Sequence, residues 1–258
     1  MGKFVRDVLI VDSKRLNDDH FVLTLDTGSP YPEIRPGQFI QLKIEGSSET
    51  FLRRPFSVHD YDGKGTIKVL VRVVGPGTRR LAEYRSGDSI NALFPLGNSF
   101  SMPASGENVL LAGGGCGIAP LLFLGKELRN RKINPLFLLG FRNRESMIEI
   151  EQYRNLGDVY ITTEDGSEGE KGFLTDHSLL DRETFNRIYC CGPEPMMMAV
   201  ADYARRHGSI CEVSLEHLMA CGFGACLCCV VPTLRGNLCT CTEGPVFNSN
   251  ELKWQISR

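Results

Sequence analysis

Ten cysteines stand in this chain of 258 residues, and six of them (Cys221, Cys226, Cys228, Cys229, Cys239 and Cys241) fall within 21 positions. Thiolates are soft ligands, and Cys221-x4-Cys226-x2-Cys229 followed by Cys241 has the spacing of plant-type [2Fe–2S] centres. The short gaps wrap one loop around two irons, and Gly222 and Gly224 let main-chain amides turn toward sulfur. Paired Cys-x2-Cys spacing also suits tetrahedral zinc, the competing chemistry; the four-residue gap and the glycines favour iron. Cys228 and Cys239 are spare thiols, with Cys239 a rival to Cys241 as fourth ligand. The first 115 residues hold no cysteine, which argues against a secreted disulfide scaffold.

Two glycine-bearing turns offer a second chemistry. Val109-Leu-Leu-Ala-Gly-Gly-Gly-Cys-Gly-Ile-Ala-Pro120 runs from a strand pattern into a helix pattern, with glycines where a backbone would approach a phosphate. Ile118 stands where the last glycine of G-x-G-x-x-G would be, so the alternative is a tight turn without a ligand. Tyr189-Cys-Cys-Gly-Pro-Glu-Pro-Met196 repeats the arrangement, Pro195 opens its helix, and Cys191 is expected to face the same crevice. Leu52-Arg-Arg-Pro-Phe-Ser57 gathers two cations, an aromatic ring and a hydroxyl, enough to grip a phosphate and flank a flat ring, or simply a strand with a solvated basic face. Gly75-Pro-Gly-Thr78 is a plain turn or a phosphate nest. The five histidines are scattered, and neither a Ser/His/Asp set nor paired carboxylates stand out. The pattern is that of carrier chemistry rather than hydrolysis.

These residues need two kinds of scaffold. Up to about residue 100 short apolar runs recur between turns: Val8–Val11, Phe21–Leu25, Phe39–Ile44, Ile67–Val74 and Ile90–Phe94, with one short helix over Thr78–Tyr84 capped by Thr78. This predicts a small β barrel or sandwich. Beyond Pro103 continuous apolar strands alternate with helical patterns: Val109–Ala112 then Ala119–Arg129, Pro135–Leu139 then Arg144–Tyr153, Val159–Thr163 then a segment around Phe173–Leu180. Arg187–Cys191 then Pro195–His207 follow, and Ile210–Leu215 closes the sheet. That rhythm predicts a doubly wound, parallel α/β domain. The expected division is residues 1–102, 103–215 and a cysteine module over 216–258, too short for its own core unless a metal centre replaces it.

Lys plus Arg is 29 and Asp plus Glu 31, a net charge of −2, which argues against a general nucleic-acid partner. The longest uncharged stretch, Val109–Gly125, is 17 residues with five glycines, a poor membrane span. No signal peptide is evident, so a soluble cytoplasmic protein is expected.

Taken together, the chain resembles the ferredoxin–NADP reductase superfamily over nearly its whole length. Arg54-Pro-Phe-Ser57 looks like its flavin motif Arg-x-Tyr-Ser, with Phe56 in place of the tyrosine, and Gly77-Thr78 looks like its pyrophosphate turn. Gly113-Gly114-Gly115 with Pro120, and Cys191-Gly192-Pro193, look like its nicotinamide-nucleotide motifs, with Cys116 as an interruption. Within the superfamily the chain is most similar to the electron-transfer subunits of NAD-dependent dihydroorotate dehydrogenase B. The similarity is carried by Asp165-Gly-Ser-x-Gly-x-Lys-Gly172, Glu216-x-x-Met-Ala-Cys-Gly-x-Gly-Ala-Cys-x-x-Cys229 and Cys241-x-x-Gly-Pro-Val-Phe247.

The resemblance implies FAD at Arg54, Pro55, Phe56, Ser57, Val71, Arg72, Val73, Gly77 and Thr78. It implies NAD at Gly113, Gly114, Gly115, Cys191, Gly192 and Pro193, with Cys191 positioning the nicotinamide rather than acting as a nucleophile. It aligns Cys241, not Cys239, with Cys221, Cys226 and Cys229 as ligands of a [2Fe–2S] cluster. It also implies an FMN-containing dihydroorotate dehydrogenase catalytic subunit as partner, two of each in a heterotetramer, and a role in pyrimidine biosynthesis. Phe141-Arg-Asn-Arg-Glu145 suits a 2′-phosphate or a free ribose hydroxyl, and only the resemblance tips the choice to NAD. The alternatives are a flavin and iron–sulfur subunit serving a hydrogenase or a ferredoxin-dependent transhydrogenase, a flavin reductase with a zinc tail, and a redox sensor.

Overall fold

The structure is a computed structural model that describes residues 2–31, 34–46 and 49–255. Its first unit is an antiparallel sheet of β1 (Phe4–Arg15), β2 (His20–Asp26), β3 (Phe39–Leu42), β4 (Arg54–Ser57), β5 (Asp60–Tyr61), β6 (Thr66–Arg72) and β7 (Ser89–Leu96), with helix α1 (Pro76–Leu81) between β6 and β7. The strand order is β4-β3-β7-β1-β2-β6-β5. The two outermost strands are consecutive in sequence, joined only by Val58 and His59, so the sheet has to curl until its edges meet. Those two residues complete the closure: the Val58 N–H donates to the Gln38 carbonyl at 2.9 Å and the His59 N–H to the Lys68 carbonyl at 2.9 Å. Closure removes the open edges of the sheet. Inside lie alternate strand residues, among them Val8, Ile10, Leu23, Leu25, Ile40, Leu42, Ile67 and Val69.

The second unit alternates β8 (Val109–Gly114), α2 (Ala119–Asn130), β9 (Leu136–Phe141), α3 (Ile150–Arg154), β10 (Asp158–Thr163), β11 (Glu170–Lys171), α4 (Leu179–Arg182), β12 (Arg187–Cys191), α5 (Glu194–His207) and β13 (Ile210–Ser214). The chain moves outward from β8 through β9 to β11, then returns to lay β12 on the other side of β8. Direction therefore reverses at the β8/β12 boundary, the place where open parallel sheets bind ligands beyond their carboxyl ends. One face is covered by α2 and α3 over Val109, Leu111 and Phe137, and Val22 and Leu70 from the barrel's outer wall join that core. The other face is covered by α4 and α5 over Leu110, Leu138 and Ile188.

After β13 the chain forms the cysteine loop, a hairpin of β14 (Val230–Thr233) and β15 (Gly236–Cys239), and then β16 (Val246–Asn248). Among the described residues after β13, Met219, Cys229, Cys239 and Cys241 pack on Phe39, Leu93 and Leu96 of the barrel.

Several element boundaries differ from the sequence expectation. Ile210–Leu215 does not close the sheet, because β16 pairs antiparallel with β13 outside it. The helix expected over Thr78–Tyr84 spans Pro76–Leu81 instead, because Pro76 opens it; Thr78 is not the cap but accepts the Val74 and Gly75 N–H groups on its hydroxyl. The helix expected over Arg144–Tyr153 is broken. Asn143 caps a single turn at Arg144–Ser146, and Glu149, at φ 53°, interrupts the chain before α3. The β1 strand extends well beyond Val8–Val11: Arg6 and Asp7 before that run and Asp12 to Arg15 after it are polar, and an irregularity between Ile10 and Asp12 breaks the alternation.

Candidate functional site

Three clusters of the residues singled out above converge at the junction of the units. On the barrel, Arg54 and Gly77 come together: a Cβ on Gly77 would lie 3.5 Å from Arg54 Nε and 3.1 Å from the Thr50 side chain. Arg53 goes elsewhere, donating to the Asn91 carbonyl at 3.0 Å and to the Asn91 side chain, so the two cations do not act as one patch. Phe56 is half-buried, its ring packed against the barrel core. Val71 is fully buried in that core, whereas Arg72 is exposed and stands near enough to Cys116 to act on its charge. Val73 is held by its N–H to the Asp19 carbonyl at 2.7 Å.

On the parallel sheet the two glycine turns are in backbone contact at the carboxyl ends of β8 and β12, where Gly113 and Cys191 are registered partners. A Cβ on Gly117 would lie 2.4 Å from the Cys191 carbonyl oxygen, and one on Gly192 would lie 3.0 Å from Gly114 N. Only glycine permits that approach. Gly115, at φ 53°, has open space where its side chain would be, as a phosphate-accepting turn requires. Pro193 lies 3.0 Å from where a Gly114 Cβ would stand.

Burial pushes the Cys191 thiol up to about 12, with the Glu216 carboxylate adding to the push and Ser214 drawing it back. Cys116 is likewise pushed up to about 12, by burial and then by Glu216. Neither is a thiolate at neutral pH, so neither is poised as a nucleophile. Nothing in its local sequence marks Glu216 for this place; the fold brings this post-β13 residue back to the β8 turn, beside both thiols.

The cysteine loop rests on the barrel at β3. Desolvation acts to raise Cys221, but the N–H groups of Phe223 and Cys226, donating to its Sγ at 3.5 and 3.4 Å, help to bring it down to about 6. Burial pushes Cys241 up to about 12, the adjacent Cys229 thiol adds to this, and the Gly224 amide opposes it. Cys229 and Cys241 are buried while Cys226 is exposed. Cys239 also lies beside Cys229, so the spare thiol is close to the four-cysteine set. Among the described residues no three thiol, imidazole or carboxylate groups converge closely enough to grip a metal ion as they stand. The donor chemistry fits an iron–sulfur group all the same: three thiols on one loop and a fourth, Cys241, just beyond the hairpin that follows it, amides already aimed at sulfur, and positive φ at Gly222 and Gly224. One further group fits it. Gln41 on β3 is fully buried, both polar atoms of its amide lack a partner, and the amide abuts Gly222.

The three clusters are mechanically connected. His59, two residues beyond Ser57, donates from Nδ1 to the Ala119 carbonyl at 2.8 Å, just past the glycine turn, and bonds through Nε2 to Glu149 Oε2 at 2.8 Å. A carbonyl can only accept, so Nδ1 carries a proton. Asp60 next to it takes Lys126 Nζ of α2 at 2.7 Å. On the other side Asn98 donates from Nδ2 to the Glu243 and Val246 carbonyls at 2.7 and 2.8 Å and accepts the Val246 N–H at 3.0 Å, fixing the exit of the cysteine loop to the barrel.

Residues 7–100 match the family described as the oxidoreductase FAD-binding domain. Residues 216–253 match the iron–sulfur cluster binding domain of dihydroorotate dehydrogenase B. Over 247 residues the chain is 36% identical to the dihydroorotate dehydrogenase B (NAD(+)) electron transfer subunit of Caldanaerobacter subterraneus subsp. tengcongensis, covering 94% of this chain and 96% of that one. The protein of the same description from Clostridium acetobutylicum is 39% identical over 221 residues, 85% of this chain and 87% of that one. Among solved structures, a chain of an NADH-dependent reduced ferredoxin–NADP oxidoreductase, studied for flavin-based electron bifurcation, superposes with a TM-score of 0.86 at 32% identity, covering 96% of this chain and 90% of that one. Phthalate dioxygenase reductase shares the fold, with a TM-score of 0.63 at 21% identity over 78% of this chain and 64% of that one. No helix among the described residues is long and apolar enough to cross a membrane.

Proposed function

Because the chain belongs to the family of electron-transfer subunits of dihydroorotate dehydrogenase B, we propose that it carries electrons from a catalytic partner subunit that oxidises dihydroorotate to NAD+, in pyrimidine biosynthesis. The observation that supports this best is the position of the segment Arg54–His59. Its strand lies beside β3, on which the cysteine loop rests, and its far end is bonded to Ala119 at the nucleotide crevice. A flavin held there stands between one-electron and two-electron sites.

In this proposal residues 1–102 take FAD, 103–215 take NAD and 216–258 take a [2Fe–2S] cluster. Arg54 and the Gly77–Thr78 turn hold the FAD diphosphate, Pro55, Phe56 and Ser57 line the flavin ring, and Val71, Arg72 and Val73 flank it. Gly113, Gly114 and Gly115 admit the NAD diphosphate, while Cys191, Gly192 and Pro193 form the wall against which the nicotinamide lies. Cys221, Cys226, Cys229 and Cys241 hold the cluster. Bound FAD supplies the conversion between hydride exchange with NAD and single-electron exchange with the cluster. The protein's own work is orientation: the bonds of His59 to Ala119 and Glu149 hold the barrel at a set distance from the nucleotide turns. The partner carries FMN, two of each subunit assemble, and the complex works in the cytoplasm, in keeping with ten free thiols among the described residues.

Anaerobic co-expression of the full chain with an FMN-containing dihydroorotate dehydrogenase subunit tests this. The expected result is co-purification in equal amounts and orotate formation with NAD+ that needs both chains. A chain that instead passes electrons between NADH and ferredoxin, with no dihydroorotate-dependent turnover, would overturn the substrate assignment; the similarity to the NADH-dependent ferredoxin–NADP oxidoreductase makes that the reading to exclude.

A further inference from the structure

A glutamine with no accessible surface and no hydrogen-bond partner is an anomaly in a folded protein, because an amide removed from water without compensation costs free energy on both its donor and its acceptor. Gln41 is such a residue: 0% exposed, with neither Oε1 nor Nε2 bonded. It is not misplaced core. The barrel-facing positions of β3 are Ile40 and Leu42, whereas Phe39 and Gln41 share the opposite face, and Phe39 packs against the cysteines. The Gln41 amide lies directly under the cysteine loop. A Cβ on Gly222 would sit 2.7 Å from Oε1 and 3.1 Å from Nε2, so a side chain at 222 would have to displace the amide. In the ladder Gln41 is registered with Pro55, inside the segment assigned above to the flavin.

Resting on the electron-transfer function proposed above, we propose that Gln41 is a positioning residue for the group bound by the cysteine loop. Its Nε2–H donates to a sulfur of the [2Fe–2S] cluster while Oε1 stays against the Gly222 main chain. Sulfur in such a centre accepts hydrogen bonds, and a donor there stabilises the extra negative charge of the reduced state, raising the potential. Gln41 thereby links the cluster loop to the strand neighbouring the flavin segment, and the amide that is orphaned in the iron-free chain gains a partner when iron and sulfide are bound.

The test uses the full-length chain with iron and sulfide, comparing the wild type with Gln41→Met, which keeps the shape, and Gln41→Glu, which replaces a donor by an anion. Paramagnetic resonance followed through a redox titration should move the Gln41→Met cluster to lower potential. The reduced-to-oxidised ratio at a fixed potential should fall by about tenfold, equivalent to about 59 mV for a one-electron couple, and Gln41→Glu should move further the same way. Thermal unfolding gives a readout that a packing role would not move: stripped of iron, Gln41→Met should melt at or above the wild type, and loaded with iron it should melt below it. A Gln41→Met chain that folds but no longer holds iron also supports the assignment. Unchanged potentials and spectra in both variants, or the same melting difference with and without iron, would overturn it. A wild-type chain that takes up no iron and sulfide sinks the proposed function and this inference together, whereas a loaded wild type with unmoved variants sinks this one alone.

Discussion

The sequence offers Arg144 to a 2′-phosphate, yet its guanidinium is already held by Glu168 Oε2, at 3.0 Å from Nε and 2.7 Å from Nη2. Glu168 belongs to the Asp165–Gly172 motif, so that motif sits beside the turn after β9. The pair offsets the charge of Arg144. Replacing Glu168 with Gln should raise the preference for NADPH over NADH in steady-state assays with an artificial acceptor. Because the pair is exposed, the shift should be no more than about fivefold. The thiols give a second prediction at this scale. Iodoacetamide added to the iron-free chain at pH 7 should label Cys221, whose thiol at about 6 is ionised, before Cys191 or Cys116, both pushed up to about 12. Peptide mass mapping after short exposures would show the order, and early labelling of Cys191 would contradict its burial.

At the scale of elements, Asn98 closes the step from cysteine loop to β16 with three side-chain hydrogen bonds. Asn98→Ala should cost about 2–3 kcal/mol in denaturant unfolding, at about 1 kcal/mol per bond. Nothing in the local sequence marks Asn98, because its partners lie some 145 residues away. That contrast is general here. The glycine turns, the strands before them and the Cys-x4-Cys-x2-Cys spacing were legible because each is a local pattern written within a dozen residues. The split of Arg144–Tyr153 was not, since helical periodicity says nothing of Glu149 adopting φ 53° to reach His59. The edge strand β16 was equally hidden: three residues carry no period, and only the exposed flank of β13 makes them a strand.

Across the whole molecule, the barrel and the parallel sheet are joined by an apolar seam through Val22 and Leu70 and by the adjacent polar ties of His59 and Asp60. His59 and Glu149 are both almost wholly buried, so the tie is shielded from solvent. His59→Gln should keep flavin bound, since the barrel core is untouched, yet slow flavin reduction by NADH by at least about tenfold in stopped flow, as expected for a displaced donor and acceptor. An unchanged rate would show that the seam alone sets the spacing. The pairing of Ser214 with Val246 carries a consequence of its own. Those residues face each other on neighbouring strands, so everything from Leu215 to Pro245, the cysteines included, leaves the sheet and returns at one point. In effect the iron-binding module is the long cap of a β-hairpin. A tight two-residue turn joining Ser214 to Val246 would leave both sheets continuous, but it would bare Phe39, Leu93 and Leu96 on the barrel and the neighbours of Val231 and Leu238 in the parallel-sheet core, so a stand-alone flavin reductase would need polar replacements on both.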